Sequence, residues 1–79
     1  MIELANKTFV LDNNEKYAVI ESIVIENKIY VYLVNIEDEM DSMFMEVKTD
    51  NQELNLIEID KAIFEEKILS AFIDKLRKD

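Results

Sequence analysis

Residues 19–39, VIESIVIENKIYVYLVNIEDE, predict the centre of the fold. β-branched and aromatic residues dominate both halves of this stretch, and Asn27 lies where the halves meet. Such residues favour strands, whereas asparagine favours tight turns. The stretch therefore predicts a β-hairpin with strands at residues 17–25 and 28–36.

The two faces of this hairpin differ in chemistry, because successive side chains of a strand point to opposite sides. One face is aliphatic: Ala18, Ile20, Val24, Ile29, Val31 and Leu33. The other is larger and rich in tyrosine: Tyr17, Val19, Ile23, Ile25, Tyr30, Tyr32, Val34 and Ile36. We expect a helix on the aliphatic face. For the tyrosine-rich face three alternatives stay open: shielding by curling of the sheet and the N-terminal segment, self-association, or another protein. A β-bulge near Glu21 and Ser22 would exchange members between the faces.

Further strands are predicted on both sides of the hairpin, at residues 8–11, 43–49 and 54–59. An acidic loop is predicted at residues 37–42. Each connection is short, which favours an antiparallel meander. The chain has no glycine, so turns that need a positive φ fall on asparagine or aspartate. The candidates at the breaks are Asn13, Asn14, Asn27 and Asn51.

From Lys61 onward the apolar period changes to that of a helix. Phe64, Ile68, Phe72 and Leu76 recur every four residues, and Leu69, Ala71 and Ile73 widen the stripe. Asp60 is placed to cap the N-terminus. We therefore predict an α+β fold: an antiparallel β-meander of four to five strands within residues 8–59, with one C-terminal helix, about 60–78, packed on one face. The 79 residues fit one domain, 1–79.

Composition limits the class of protein. There is no cysteine, which excludes disulfides and thiolate metal sites. The first residues do not resemble an export signal, and no apolar run approaches the ~20 residues of a membrane span. We expect a soluble cytoplasmic protein that does not bind membranes.

The formal net charge is −9. Most of the negative charge lies in residues 36–60, which contain nine acidic residues and one basic residue, Lys48. Two interpretations stay open: a solvated surface that keeps the protein soluble, or an acidic patch for a basic partner. The predicted partner-binding residues are acidic side chains and two tyrosines: Glu37, Asp38, Glu39, Asp41, Asp50, Glu53, Tyr30 and Tyr32.

Catalysis is not expected, because the chain has no histidine or cysteine to act as base or activated nucleophile. No catalytic, cofactor or metal residues are predicted. A glycine-rich phosphate loop is excluded, and an EF-hand starting at Glu37 would place Ser42 at the glycine position and Lys48 at the bidentate glutamate. Direct binding to nucleic acid is not expected, since the net charge repels a phosphate backbone.

The order of features resembles a known family. The segments KYAVIESIVIENKIYVYLVN, IEDEMDSMFMEV and ELNLIEIDKAIFEEKILSAFIDKL are similar to the YrzB-like small acidic domain-of-unknown-function family of low-GC Gram-positive bacteria and their mobile elements. The resemblance covers residues 8–76 and implies a β-meander with a terminal helix. Asn27 stands where the family often has glycine, and no proline precedes the helix. The resemblance carries no active site.

Two hypotheses about function follow. In the first, the chain is a non-catalytic acidic interaction module; in a sharper form it is a phage-type or mobile-element inhibitor that imitates nucleic acid and occupies a basic groove. In the second, it is a structural or housekeeping accessory protein, in one version a homodimer, whose charge serves solubility only.

Overall fold

A computed structural model describes residues 7–11 and 13–77 of the chain. Five strands form one antiparallel sheet in sequential order, and a helix follows them, which confirms the predicted α+β meander. The strands are β1 (Thr8–Val10), β2 (Lys16–Ile25), β3 (Lys28–Asn35), β4 (Asp38–Asp50) and β5 (Glu53–Glu58). The helix, here called the C-terminal helix, comprises Lys61–Ile63, a π-helical turn Phe64–Ile68, and Leu69–Arg77.

Two of the hairpins close with two-residue turns in the left-handed region. Glu26 and Asn27 have φ values of 51° and 68°, and Asn51 and Gln52 have 51° and 71°. Two consecutive positive φ values define the turn whose twist matches that of the strands. The positive φ was predicted at both asparagines but missed at Glu26 and Gln52, because the turn geometry requires it at both central residues whatever their type.

A β-bulge at Ile20 reorganises the faces of β2. Val19 pairs with Leu33, but the next pair is Glu21 with Tyr32, so one residue of β2 has no counterpart in β3. The extra residue shifts the alternation of side chains by one position. Two residues of β2 that simple alternation would place on the same face therefore lie on opposite faces when the bulge is between them. Val19 joins the face of Leu33, while Ile23 lies opposite Tyr30.

The C-terminal helix covers the tyrosine-rich face, so the prediction that it packs on the aliphatic face is wrong. Ile68 and Phe72 are fully buried against Ile23 and Tyr30. Phe44 links sheet and helix: its ring centroid lies 4.8 Å from that of Tyr32, and 5.0 and 4.9 Å from those of Phe64 and Phe72. Large aromatic rings on both elements fill the space between helix and sheet.

The aliphatic face is closed by the sheet itself, which curls around it. Its buried core consists of Tyr17, Val19, Val31, Leu33 and Val47, with side chains of β1, β4 and β5 packed against them. Side chains of the sheet's own strands, among them Phe9, Met45 and Leu56, thus fill this face where a helix was predicted. Curling was predicted as a shield for the other face.

The buried stripe of the helix is narrower than predicted. Phe64, Ile68 and Phe72 face the sheet, but Leu69, Ile73 and Leu76 are 36 to 43% exposed, so their assignment to the buried stripe is wrong. The π-helical turn holds one more residue per turn than an α-helical turn. Apolar side chains that recur every four residues therefore stay closer to one face than they would in a regular α-helix.

Asp60 caps the helix as predicted. Its Oδ1 accepts hydrogen bonds from the backbone N–H groups of Ala62 at 2.9 Å and Ile63 at 3.3 Å. Within the described residues, no helix has both the length and the apolar character needed to cross a membrane.

Candidate protein-binding surface

The predicted acidic loop at residues 37–42 is largely strand, because β4 begins at Asp38 immediately after the turn. Asn35 pairs with Asp38, yet the neighbouring Val34 pairs with Ser42. Three residues of β4, Glu39 to Asp41, therefore bulge out of the ladder. A bulge of this kind bends the strand and redirects its side chains.

The bulge lies beside the turn between β1 and β2. Asn35 Nδ2 donates to Glu15 Oε2 at 2.8 Å and to Asp41 Oδ2 at 3.2 Å. The Tyr17 hydroxyl donates a short hydrogen bond to Asp41 Oδ2 and lies 3.4 Å from Glu15 Oε2. Two carboxylates, distant in sequence, thus share donors from one buried amide and one buried phenol.

The network shifts the pKa of two of its members. Hydrogen bonding to Asp41, burial and the two nearby negative charges raise the pKa of Tyr17 from 10.0 to about 12. The hydrogen bonds that Asp41 accepts from Tyr17 and Asn35 lower the pKa of its carboxyl group. At neutral pH the phenol is therefore a donor and Asp41 a carboxylate, the states that hold this end of the sheet together.

Side chains also fix the backbone of the two turns. Asn35 Oδ1 accepts the N–H of Glu37 at 2.8 Å, and Asp38 Oδ1 accepts that of Met40 at 3.1 Å. In the other turn, Asn13 Oδ1 accepts the N–H of Glu15 at 2.9 Å. Asn13 does not adopt a positive φ, contrary to the prediction, since it serves as the side-chain acceptor of the turn.

These contacts bring five carboxylates to one end of the sheet, which we call the acidic end: Glu15, Glu37, Asp38, Glu39 and Asp41. The two chain segments that form it, residues 13–17 and 35–42, contain one base, Lys16. The acidic end also displays two apolar side chains. Met40 is 87% exposed and Ile36 is 56% exposed.

The structure brings together only part of the predicted site. Glu37, Asp38, Glu39 and Asp41 lie at the acidic end, although Asp41 is half-buried in the network with Tyr17. Asp50 and Glu53 flank the turn between β4 and β5, at the far end of the 13-residue strand β4. The predicted acidic surface is therefore divided between two ends of the sheet.

The two predicted tyrosines lie beneath the C-terminal helix. Tyr30 is 4% exposed and belongs to the core, and Tyr32 is half-buried against Phe44. The face is covered within the monomer, but the predicted shield, curling of the sheet and the N-terminal segment, is wrong, because the C-terminal helix packs on these residues.

Sequence reasoning missed Glu15, Tyr17 and Asn35, because the contact between Tyr17 and Asp41 spans 24 positions. It also missed Ile36 and Met40, for which a local signal exists. Both are apolar residues next to acidic ones. Alternation placed Ile36 on the tyrosine-rich face and assigned no face to Met40.

The described residues contain no group of three or more carboxylates arranged to hold a metal ion. Comparison of the chain with protein-family models, with curated proteins and with solved structures gives no match. The resemblance to the YrzB-like family stays a prediction.

Proposed function

We propose that this protein is a non-catalytic protein-binding module whose acidic end docks on a basic surface of a partner protein. The observation that carries the proposal is the exposure of Met40 and Ile36 among carboxylates. Protein interfaces combine apolar anchors near their centre with a polar or charged rim. A surface that served solubility alone would gain nothing from an 87% exposed methionine.

The hydrogen-bond network supports this role by fixing the shape of the surface before binding. Asp41, Asn35 and Tyr17 hold the bulge, so Met40 is presented from a defined loop. A preorganised surface loses less conformational entropy on binding than a flexible one. The unbranched thioether of methionine adapts to pockets of different shape.

The charge favours a basic protein and opposes nucleic acid. Glu37, Asp38 and Glu39 are exposed and carry no partner base in the described ion pairs. Carboxylates in this position accelerate association with a basic surface and are screened by salt. In its sharper form the proposal is that the partner's basic surface is a nucleic-acid-binding groove, which makes the protein an inhibitor.

The test is photo-crosslinking in the native host. A photoreactive amino acid replaces Met40 in one variant and Leu76, on the helix, in the control. We expect position 40 to capture one basic protein that position 76 does not. Capture should fall when Glu37→Lys and Glu39→Lys are added, and should persist with the matched pair Glu65→Lys and Glu66→Lys.

Equal capture from positions 40 and 76 would contradict the proposal, as would capture that is insensitive to both charge reversals. Asp41 is left unchanged in this design, because its loss would disturb the network with Tyr17 rather than the surface charge alone.

A further inference from the structure

Within the part of the chain that the structure describes, the curled sheet does not close into a barrel. β1 and β5 are its two edges, and both line a cavity of about 560 Å³. We call this gap the seam. Its apolar lining comes from β1, the residue after it, β4 and β5: Phe9, Val10, Leu11, Met45, Leu54 and Leu56. In a sequential antiparallel sheet of five strands, β1 and β5 run in the same direction, so one strand antiparallel to both would complete an all-antiparallel barrel.

The outer edge of β1 directs backbone N–H and C=O groups toward the seam. Leu11 donates its N–H to the carbonyl of Glu15, and Val19 donates to the carbonyl of Lys7. Hydrogen-bonded and non-hydrogen-bonded pairs alternate along an antiparallel ladder. The pair of Val10 and Lys16 is therefore non-hydrogen-bonded, and the N–H and C=O of Val10 point away from β2.

The outer edge of β5 also directs backbone N–H and C=O groups toward the seam. The two-residue turn makes the closing pair, Asp50 and Glu53, a hydrogen-bonded one. Alternation then directs the backbone groups of Leu54 and Leu56 away from β4, while their side chains point into the seam. Among residues 7–11 and 13–77, no strand pairs with this edge or with the outer edge of β1.

A third exposed edge, along the second half of β2, is blocked by side chains. The N–H of Ser22 donates to Glu21 Oε1 at 3.0 Å, and the C=O of Ser22 accepts from Lys75 Nζ at 2.6 Å. Lys75 also pairs with Glu21 at 3.3 Å. Charged side chains placed this way prevent strand pairing. The described part of the seam has no equivalent block.

We propose that the seam binds an extended segment of a partner protein, antiparallel to β1 and β5, in which apolar and basic residues alternate. The backbone edges supply hydrogen bonds to a strand on both sides, and the cavity supplies an apolar floor for every second side chain. Some outward side chains would lie beside an acidic rim at one end of the seam, because Glu53 of β5 and its pair partner Asp50 of β4 are exposed on the outward face. Basic residues complement that rim.

The test uses a fluorescently labelled eight-residue peptide of alternating lysine and valine, with fluorescence anisotropy as the measure of binding. A peptide of alternating glutamate and valine is the charge control. Two matched variants replace exposed valines whose N–H groups point out of the sheet: Val10, 61% exposed at the seam, and Val24, 63% exposed on the blocked edge of β2. Proline removes the outward N–H without breaking a ladder bond.

We expect Val10→Pro to weaken binding of the lysine–valine peptide by about tenfold and Val24→Pro to leave it unchanged. Thermal unfolding by circular dichroism confirms that both variants fold. In amide hydrogen exchange, bound peptide should protect Val10 and Leu56 and leave Val24 unaffected.

Equal weakening by both proline variants, or no binding of the lysine–valine peptide, would overturn the proposal. Dimerisation of the free protein that Val10→Pro abolishes would also overturn it, in favour of a second copy of this chain as the occupant. None of these outcomes bears on crosslinking at Met40, so this proposal and the proposed function fail separately.

Discussion

The two faces of the sheet are closed by different means. Under the C-terminal helix, Phe72 and Ile68 seal a face of aromatic rings. Inside the curl, Leu33 and Val31 are equally buried, but the curl ends in the seam between β1 and β5. The backbone hydrogen bonds of a helix are made within the helix, so a covering helix adds no strand edge. A curled sheet, in contrast, leaves the outer edges of its first and last strands unpaired unless it closes. One face is therefore covered by the helix, whereas the other is bordered by two strand edges that have no partner strand among the described residues.

The largest expected effect lies under the helix. Phe72→Ala removes a fully buried ring that packs on Phe44, and we expect it to lower the free energy of unfolding by about 3 to 5 kcal/mol. Ile73→Ala is the control on the 43% exposed side of the helix and should cost below about 1 kcal/mol. Urea unfolding measures both. A loss below about 1 kcal/mol for Phe72→Ala would show that the helix does not seal this face.

The next effect distinguishes the interior of the curl from the seam. Leu33 is 0% exposed, and Leu33→Ala should cost about 2 to 5 kcal/mol. Leu56 lines the seam and is half-buried, so Leu56→Ala should cost about 1 kcal/mol. The same unfolding experiment compares the two. Equal losses would mean that Leu56 is enclosed and the seam is closed.

A smaller, pH-dependent effect is expected from the network at the acidic end. The pKa of Tyr17 is raised from 10.0 to about 12 in the folded protein, so its contribution is complete below pH 10 and is lost as the pH rises toward 12. The pKa of Asp41 is lowered from 3.8, so its contribution is lost as the pH falls below that value.

Tyr17→Phe removes the donor common to both effects. At pH values where Asp41 is ionised and Tyr17 is protonated, the variant should melt at a lower temperature than the wild type. The difference in melting temperature should shrink at both pH extremes. Spectroscopic titration of tyrosinate should show one phase near pH 12 in the wild type that the variant lacks. A melting difference that is constant from pH 3 to pH 12 would contradict the assignment.

The smallest effect concerns the blocked edge of β2. Lys75 and Glu21 are partly exposed, so Lys75→Ala should cost below about 1 kcal/mol. Amide exchange at Ser22 should nevertheless become faster, because Lys75 no longer holds the Glu21 carboxylate that accepts the Ser22 N–H. Unchanged exchange at Ser22 would mean that Lys75 does not protect this edge.

Local patterns predicted most of the elements but not the way they combine. Apolar periods defined the strands and the helix, and Asp60 was correctly predicted as the cap. The bulge at Ile20 exchanged members between the faces of β2. A bulge near Glu21 and Ser22 was considered from the sequence, but the residue types there do not decide whether it forms. The seat of the helix was wrong for a separate reason: Ile23, Tyr30 and Tyr32 share a face as predicted, but the helix packs on that face rather than on the aliphatic one.

The candidate site was predicted only in part, because local patterns do not show which distant residues come together. The acidic residues 37–39 were found from composition alone. The network that shapes their surface depends on Asn35 reaching Glu15, 20 positions away, and alternation along a strand carries no information about such a contact.

Amide hydrogen exchange in the free protein distinguishes an open seam between β1 and β5 from a closed one. Along β1 and β5, residues with ladder hydrogen bonds alternate with residues that face the seam. We expect Val10 and Leu56 to exchange at least about tenfold faster than their neighbours Phe9 and Asn55. Equally slow exchange at Val10 and Leu56 would show that the two edges are already paired, and would contradict the account.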